Sequence, residues 1–144
     1  MSIEFLNGKF LISSEREKLD IDFIHGYLCN QSYWAQGRSR DVVEKSIHNS
    51  LCFGVFDSEQ QVGFARMVTD FITFAWLCDV FIAESHRGQG LGKWLVESIV
   101  SHPEMIAVKY ILLATSDAHE LYRKYGGFEA PRAIDKWMIR YIEK

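Results

Sequence analysis

The chain has 144 residues, the commonest size for one folded domain, and its 48% hydrophobic and 24% charged residues are ordinary for a soluble globular protein. A net charge of −3 speaks against a general nucleic-acid binder, and Arg123-Lys124 is too small a basic cluster to outweigh it. No apolar run approaches the roughly 20 residues that span a bilayer, and Met1-Ser2-Ile3-Glu4-Phe5 lacks the basic start and apolar stretch of a secretion leader. Cys29, Cys52 and Cys78 are odd in number, sit in apolar surroundings and form no CxxC pair, so they read as buried free thiols. These features predict one domain over residues 1–144, no metal site, no nucleic-acid or membrane partner, and a reducing, cytoplasmic setting.

In chain order, Phe10-Leu11-Ile12 predicts a short opening strand. Asp20 to Cys29 predicts a helix, because Ile21, Ile24 and Leu28 return to one face. Ser32 to Arg38 breaks that period and reads as a loop, after which Ser39 is the N-cap of a second helix carrying Val43 and Ile47. Leu51 to Phe56 is strand-like, Asp57 to Gln60 supplies a polar turn, and Gln61 to Thr69 is the hairpin partner. Phe74 to Ile82 is a longer apolar run in which Asp79 is the single charge. Leu91, Leu95 and Ile99 recur at helical spacing and predict a helix that starts near Gly90 and ends before Pro103. Lys109 to Thr115 predicts a strand, and Asp117 to Tyr125 a short helix stopped by Gly126-Gly127. Lys136 to Ile142 alternates enough to predict a final strand. Hairpins followed by a strand–helix–strand crossover predict a mixed α/β sheet.

The chemistry concentrates where the third long strand meets its helix, from Val80 to Lys93. A buried strand runs into the glycine-rich loop Arg87-Gly88-Gln89-Gly90-Leu91-Gly92, which opens an amphipathic helix. The first N–H groups of such a helix have no internal partner and its dipole favours negative charge, so the pattern makes an anion site. Glycines let backbone approach a bulky phosphate, and Arg87 adds a fixed positive charge. A Walker loop is excluded because Gly92-Lys93 is followed by Trp94, and the glycines at 88, 90 and 92 do not fit a dinucleotide fingerprint. The bland alternative is a flexible turn with an incidental arginine.

Arg87-Gly88-Gln89-Gly90-Leu91-Gly92 resembles the Arg/Gln-x-x-Gly-x-Gly/Ala signature of GCN5-related N-acetyltransferases, and it sits in the expected strand–loop–helix setting. Downstream, Ala118 to Phe128 resembles the family's Ala-x-x-Leu-Tyr-x-Lys-x-Gly-Phe segment. The order of elements fits along nearly the whole chain. This resemblance implies a central mixed, mostly antiparallel sheet flanked by helices, with acetyl-CoA bound in the gap between two splayed strands, Phe74–Ile82 and Tyr110–Thr115. It implies pantetheine pairing with the backbone of Val80 and Ile82, on either side of Phe81, and a pyrophosphate resting on amides between Arg87 and Gly92, beside Lys93. Three departures stand out: Gly126-Gly127 replaces one glycine, Thr115 stands where asparagine is frequent, and Glu84 replaces a frequent proline.

For acetyl transfer to a primary amine, the resemblance makes Tyr122 the acid that protonates the departing thiolate. Its stripe with Leu121 and Tyr125 equally allows a packing role. Asp79 is the candidate general base, because an isolated buried carboxylate needs a partner or a task; a structural pair with Arg66, or an ordered water as shuttle, are the alternatives. The resemblance suggests a backbone N–H near Val80 for the oxyanion. His86, next to the arginine, could touch phosphate, though such a histidine is more often solvated; His119 earns no role, and Cys78 reads as packing. Acceptor specificity is assigned to the loop Tyr33 to Arg38, where Trp34 could stack on a flat group and Arg38 could hold a carboxylate; an aromatic-anchored loop with a surface arginine is equally compatible. The expectation is therefore an acetyltransferase acting on a small-molecule or peptide amine, with a non-catalytic acyl-CoA sensor as the alternative and a homodimer left open.

Overall fold

The computed structural model describes residues 2–142. Six strands form one sheet in sequence order: β1 (Glu4–Asn7), β2 (Phe10–Ser13), β3 (Leu51–Asp57), β4 (Gln60–Thr69), β5 (Ala75–Ile82) and β6 (Ile111–Leu112). All neighbours pair antiparallel except β5 and β6, which are parallel. Four helices complete the fold: α1 (Ile21–Asn30), α2 (Arg40–His48), α3 (Leu91–Val100) and α4 (His119–Gly126). No helix among the described residues is long and apolar enough to cross a membrane.

Local chemistry explains the helix boundaries. The side chains of Asp20 and Ser39 accept from the amides of Phe23 and Val42, so both early helices start on a filled N-cap. Gly127 ends α4 at φ 70°, a left-handed stop that glycine adopts without penalty. The sheet is covered on both faces. Ile24, Leu28, Val43 and Ile47 of α1 and α2 pack on Phe64 and Phe81, while Leu91, Leu95 and Ile99 of α3 pack with Tyr122 on Phe53, Ala65 and Leu77. Neighbouring residues of one strand thus feed opposite cores, as the two-residue period requires.

One irregularity governs the site. Phe64 pairs with Phe81 and Arg66 with Cys78, so the single residue Ala65 of β4 faces two residues of β5, Asp79 and Val80. This is a β-bulge, and Asp79 occupies it at φ 52°, an unusual backbone for a residue with a Cβ. The extra residue inverts the alternation. Ala75 and Leu77 face α3 before the bulge, whereas Val80 and Ile82 pack on that side after it and Phe81 turns to α1.

Three expected elements differ. β1 was not foreseen because its Glu-Phe-Leu-Asn is mostly exposed, as on an edge strand, and carries little period. β6 keeps only two of the seven residues expected between Lys109 and Thr115, since pairing with β5 stops at Trp76–Leu112, just before the bulge bends β5. The strand expected over Lys136 to Ile142 does not form within the chain: a 3-10 turn covers Ile134–Lys136, and residues 137–142 run on unpaired. Alternation was present there, but a strand also needs an edge to pair with.

Candidate active site

β5 delivers the glycine loop. After Ile82 the chain makes one 3-10 turn at Glu84–His86 and reaches Gly90, which caps α3 in the left-handed region at φ 81° with no side-chain cap bond. Gly88 shares that conformation at φ 82°. A Cβ at either glycine would meet nothing within 4 Å, so positive φ, and not crowding, explains the glycine, and the space before the loop is open. The first intrahelical bond runs from Trp94 N to Gly90 O, which leaves the amides of Leu91, Gly92 and Lys93 without an intrahelical partner. Together they form an uncapped, positively polarised helix end.

Side chains brace this loop from behind. Arg87 Nε donates to the Ile82 carbonyl at 3.0 Å and its Nη2 to the Tyr27 hydroxyl at 2.7 Å. Arg87 therefore brings its charge to the loop, but two of its donors serve as tethers to β5 and α1. His86 Nε2 lies 2.9 Å from Asp57 Oδ2, fastening the loop to the β3–β4 turn instead of standing in solvent. Leu91 is buried in the α3 core, Gln89 is exposed, and Lys93 lies over the Tyr125 ring at 5.2 Å. Phe81 stacks on Tyr27 at 3.9 Å, so only its backbone can serve the cleft.

The second half of the site lies where β5 and β6 part. The Asp79 carboxylate, 2% exposed, accepts from Trp34 Nε1 at 2.8 Å, Arg38 Nη1 at 2.9 Å and Arg66 Nε at 2.8 Å. Burial alone would raise its pKa, but Arg66, Arg38 and Trp34 outweigh that and hold the carboxyl below the usual range. A carboxylate so fully engaged is a poor proton acceptor; the Arg66 pair foreseen as the alternative to a base is present. One residue from Trp34, Tyr33 reaches the other wall: its hydroxyl accepts from Ser116 N at 2.9 Å, and its ring meets that of Trp34 edge-on at 5.0 Å. The α1–α2 loop thus spans the gap, from the bulge on β5 to the segment leaving β6.

Tyr122 lies beside this bridge on α4. It is buried, and its pKa is pushed up to about 12, first by burial and then by the neighbouring Tyr33 and Asp117. Among the described residues its hydroxyl has no hydrogen-bond partner, yet the one fully buried side-chain atom lacking a partner is His102 Nε2. The Tyr122 oxygen is consequently not sealed from the outside, and its raised pKa keeps it protonated at neutral pH. Burial raises Cys78 to about 11 and Cys52 to about 12, so neither offers a thiolate nucleophile. Among the described residues, no group of three or more His, Cys, Asp or Glu side chains could hold a metal ion.

The fold therefore gathers Trp34, Arg38, Asp79 and Tyr122 at one end of the β5 gap and residues 87–93 at the other, with Val80 to Ile82 running between them. Tyr27 was not foreseen as part of the site. Its spacing three residues after Ile24 marks it as core, and nothing in the sequence ties it to an arginine 60 positions away.

Residues 48–129 match the family model described as an acetyltransferase (GNAT) domain. A Gibberella zeae protein named as an acetyltransferase is 28% identical over 151 residues, covering 89% of this chain and 84% of that protein. A GNAT-family crystal structure from Xanthomonas campestris pv. campestris superposes with a TM-score of 0.88 at 41% identity, covering 92% of this chain and 93% of that one. A Clostridium acetobutylicum structure, described as an acetyltransferase with acetyl-CoA, shares the fold with a TM-score of 0.65 at 13% identity, covering 98% and 96%. The chain belongs to the GNAT acetyltransferase family and is an acyl-transferring enzyme.

Proposed function

We propose that the protein moves an acetyl group from acetyl-CoA directly to the primary amine of a small molecule or peptide. The observation that carries this reading is the Tyr122 hydroxyl: protonated, not sealed off, without a hydrogen-bond partner among the described residues, and beside Tyr33, which bridges the gap between β5 and β6. The residues present fit acetyl-CoA. The uncapped amides of Leu91, Gly92 and Lys93 and the open space before Gly88 and Gly90 suit a pyrophosphate, and β5 beyond Trp76 has an edge without a strand partner to take an extended amide-bearing arm. The Clostridium neighbour, described with acetyl-CoA, supports the same cofactor. When bound, the cofactor supplies the activated thioester.

The chain's own groups then divide the work. The helix end and loop amides hold the anionic part of the cofactor. The bulge frees the Val80 amide from regular pairing with β4, so this N–H can point to a developing oxyanion. Tyr122 Oη holds a proton that it can give to a departing sulfur, since its raised pKa keeps it protonated throughout the neutral range. Asp79 serves as a positioning group: its carboxylate fixes Trp34 and Arg38 at the mouth, where an acceptor enters. The amine's proton leaves to water. Arg38 is partly exposed, and its remaining donors suit an acceptor with an anionic group.

Thiol release from acetyl-CoA, followed over an amine panel that includes small carboxylated amines, tests the reading. Turnover that falls at least tenfold in Tyr122→Phe while acetyl-CoA affinity holds supports it. Tight cofactor binding without turnover on any amine would instead favour a sensor.

A further inference from the structure

The α1–α2 loop is more than a bridge. Its two large rings, Tyr33 and Trp34, stay 52% and 38% exposed although side chains tie the loop to both walls of the gap. They meet at 82°, so they form a corner whose faces stay open to water. Aromatic faces held in place at the mouth of a cleft suit a flat or apolar body. The corner has opposite charges at its two ends, and neither is balanced within the described chain. At the cationic end, Arg38 and Arg66 share the single carboxylate of Asp79, which leaves one positive charge over. Arg38 spends only Nη1 on Asp79. Its Nε and Nη2 bond nothing described and are not sealed off, since His102 Nε2 is the one buried side-chain atom without a partner. Two adjacent free donors of a planar fork match a carboxylate.

The anionic end is Asp117, on the opposite wall. Thr115 Oγ1 accepts from the amides of Asp117 and Ala118, at 3.4 and 3.1 Å, and so turns the chain into α4. Asp117 stands exposed on that corner, next to Ser116, whose amide holds the Tyr33 hydroxyl at 2.9 Å. Tyr122 follows one helical turn later, its amide bonded to the Ala118 carbonyl. The Asp117 carboxylate makes no hydrogen bond or ion pair among the described residues and does not cap the helix, which starts without a side-chain cap. Its charge is nonetheless felt at both hydroxyls: at Tyr33, which the Ser116 hydrogen bond holds below the ordinary tyrosine value, and at Tyr122, which burial holds above it. A free carboxylate beside the proton-bearing Tyr122, and a free guanidinium fork across the gap from it, are placed to take the two ends of one molecule.

We propose that the acceptor is an amine with a carboxylate at the far end of a short flat or apolar body: the carboxylate on Arg38, the body on Tyr33 and Trp34, and the ammonium drawn in by Asp117 beside Tyr122. Resting on the acetyl-transfer reading above, this adds Asp117 to the site as a positioning residue. Water reaches the exposed Asp117, so the ammonium sheds a proton there and the neutral amine turns onto the thioester carbonyl. The N–C bond forms as the C–S bond breaks, Tyr122 gives its proton to the sulfur, and the proton then leaving nitrogen restores the tyrosine. The two rings separate the charged ends, so an α-amino acid, with both charges on one carbon, engages only one of them. A polyamine sets a cation against Arg38 and is disfavoured by repulsion.

Thiol release from acetyl-CoA tests this with 4-(aminomethyl)benzoate, benzylamine and phenylalanine as acceptors. The first is expected to have a kcat/KM about tenfold or more above the other two, carried by KM, as a charge-assisted arginine–carboxylate pair would give. Asp117→Asn should raise KM for 4-(aminomethyl)benzoate and benzylamine alike by about threefold to fivefold, with kcat nearly unchanged, and Asp117→Glu should restore it. Equal KM for 4-(aminomethyl)benzoate and benzylamine in the wild type overturns the proposal, as does an Asp117→Asn variant that leaves KM unmoved or loses kcat instead. Should no amine be turned over, the acetyl-transfer reading falls, and calorimetry of the same amines on CoA-saturated protein decides this one separately. Tighter wild-type binding of 4-(aminomethyl)benzoate than of benzylamine, with both weakened in Asp117→Asn, upholds the paired charges, and equal binding overturns them.

Discussion

The two edges of β5 have opposite fates. Toward β4 the strand is paired from Ala75 to Ile82, interrupted only by the bulge at Asp79; toward β6 it is paired at Ala75 and Trp76 and then stands apart. The same eight residues therefore anchor the fold on one side and line the proposed active site on the other. Such a site requires backbone donors that the fold leaves unspent, and an α1–α2 loop hydrogen-bonded to both walls keeps the gap from closing or fraying.

The sharpest way to break this division is at its hinge. Asp79→Ala is expected to destabilise the fold by about 3–5 kcal/mol, read by chemical denaturation, because Arg66 would remain buried without its counter-charge. It should also lower activity by releasing Trp34 and Arg38. Tyr122→Phe separates the two edges instead. Turnover should fall roughly 10²-fold or more if this hydroxyl is the general acid, while the melting temperature stays nearly unchanged because the oxygen has no hydrogen-bond partner among the described residues. Gly63→Val tests the paired edge. A Cβ there would lie 3.0 Å from the Phe81 carbonyl and 2.7 Å from Ile82 Cδ1, so overpacking should cost about 1–3 kcal/mol.

Gly90→Ala acts on the open side, where left-handed strain of roughly 1–2 kcal/mol should accompany weaker acetyl-CoA binding in calorimetry. The smallest effect is a pH dependence. The folded pKa of Asp79 lies below the ordinary 3.8, so its contribution is fully present above that value and is lost as pH falls through the folded pKa. The stability gap between wild type and Asp79→Asn should thus narrow in acid. A gap that widens there would refute the ionised cluster.

Much of this was readable along the chain. Ser39 and Gly127 behave as their chemistry predicts, and the glycine spacing at 88, 90 and 92 marks a helix entry with open backbone, since positive φ at two of them is a local demand. Asp79 was conspicuous as the lone charge in its apolar run, but its task was not. Whether such a carboxylate is a base or an anchor depends on what surrounds it, and Trp34, Arg38 and Arg66 come from 45, 41 and 13 positions away. Tyr122 was likewise visible by motif, while the freedom of its hydroxyl was not.

The sequence by itself determined the helix boundaries and the open, glycine-rich entry of α3, because caps, periodicity and left-handed glycines act within a few residues, and its two motifs carried the family resemblance. Only the tertiary structure decided that Arg87 tethers the loop to Tyr27, that β5 carries a bulge at a non-glycine residue, and that residues 137–142 find no edge within their own chain. Each of these rests on which groups meet across the sheet, and such meetings are fixed by packing and pairing between distant segments, which no local pattern encodes.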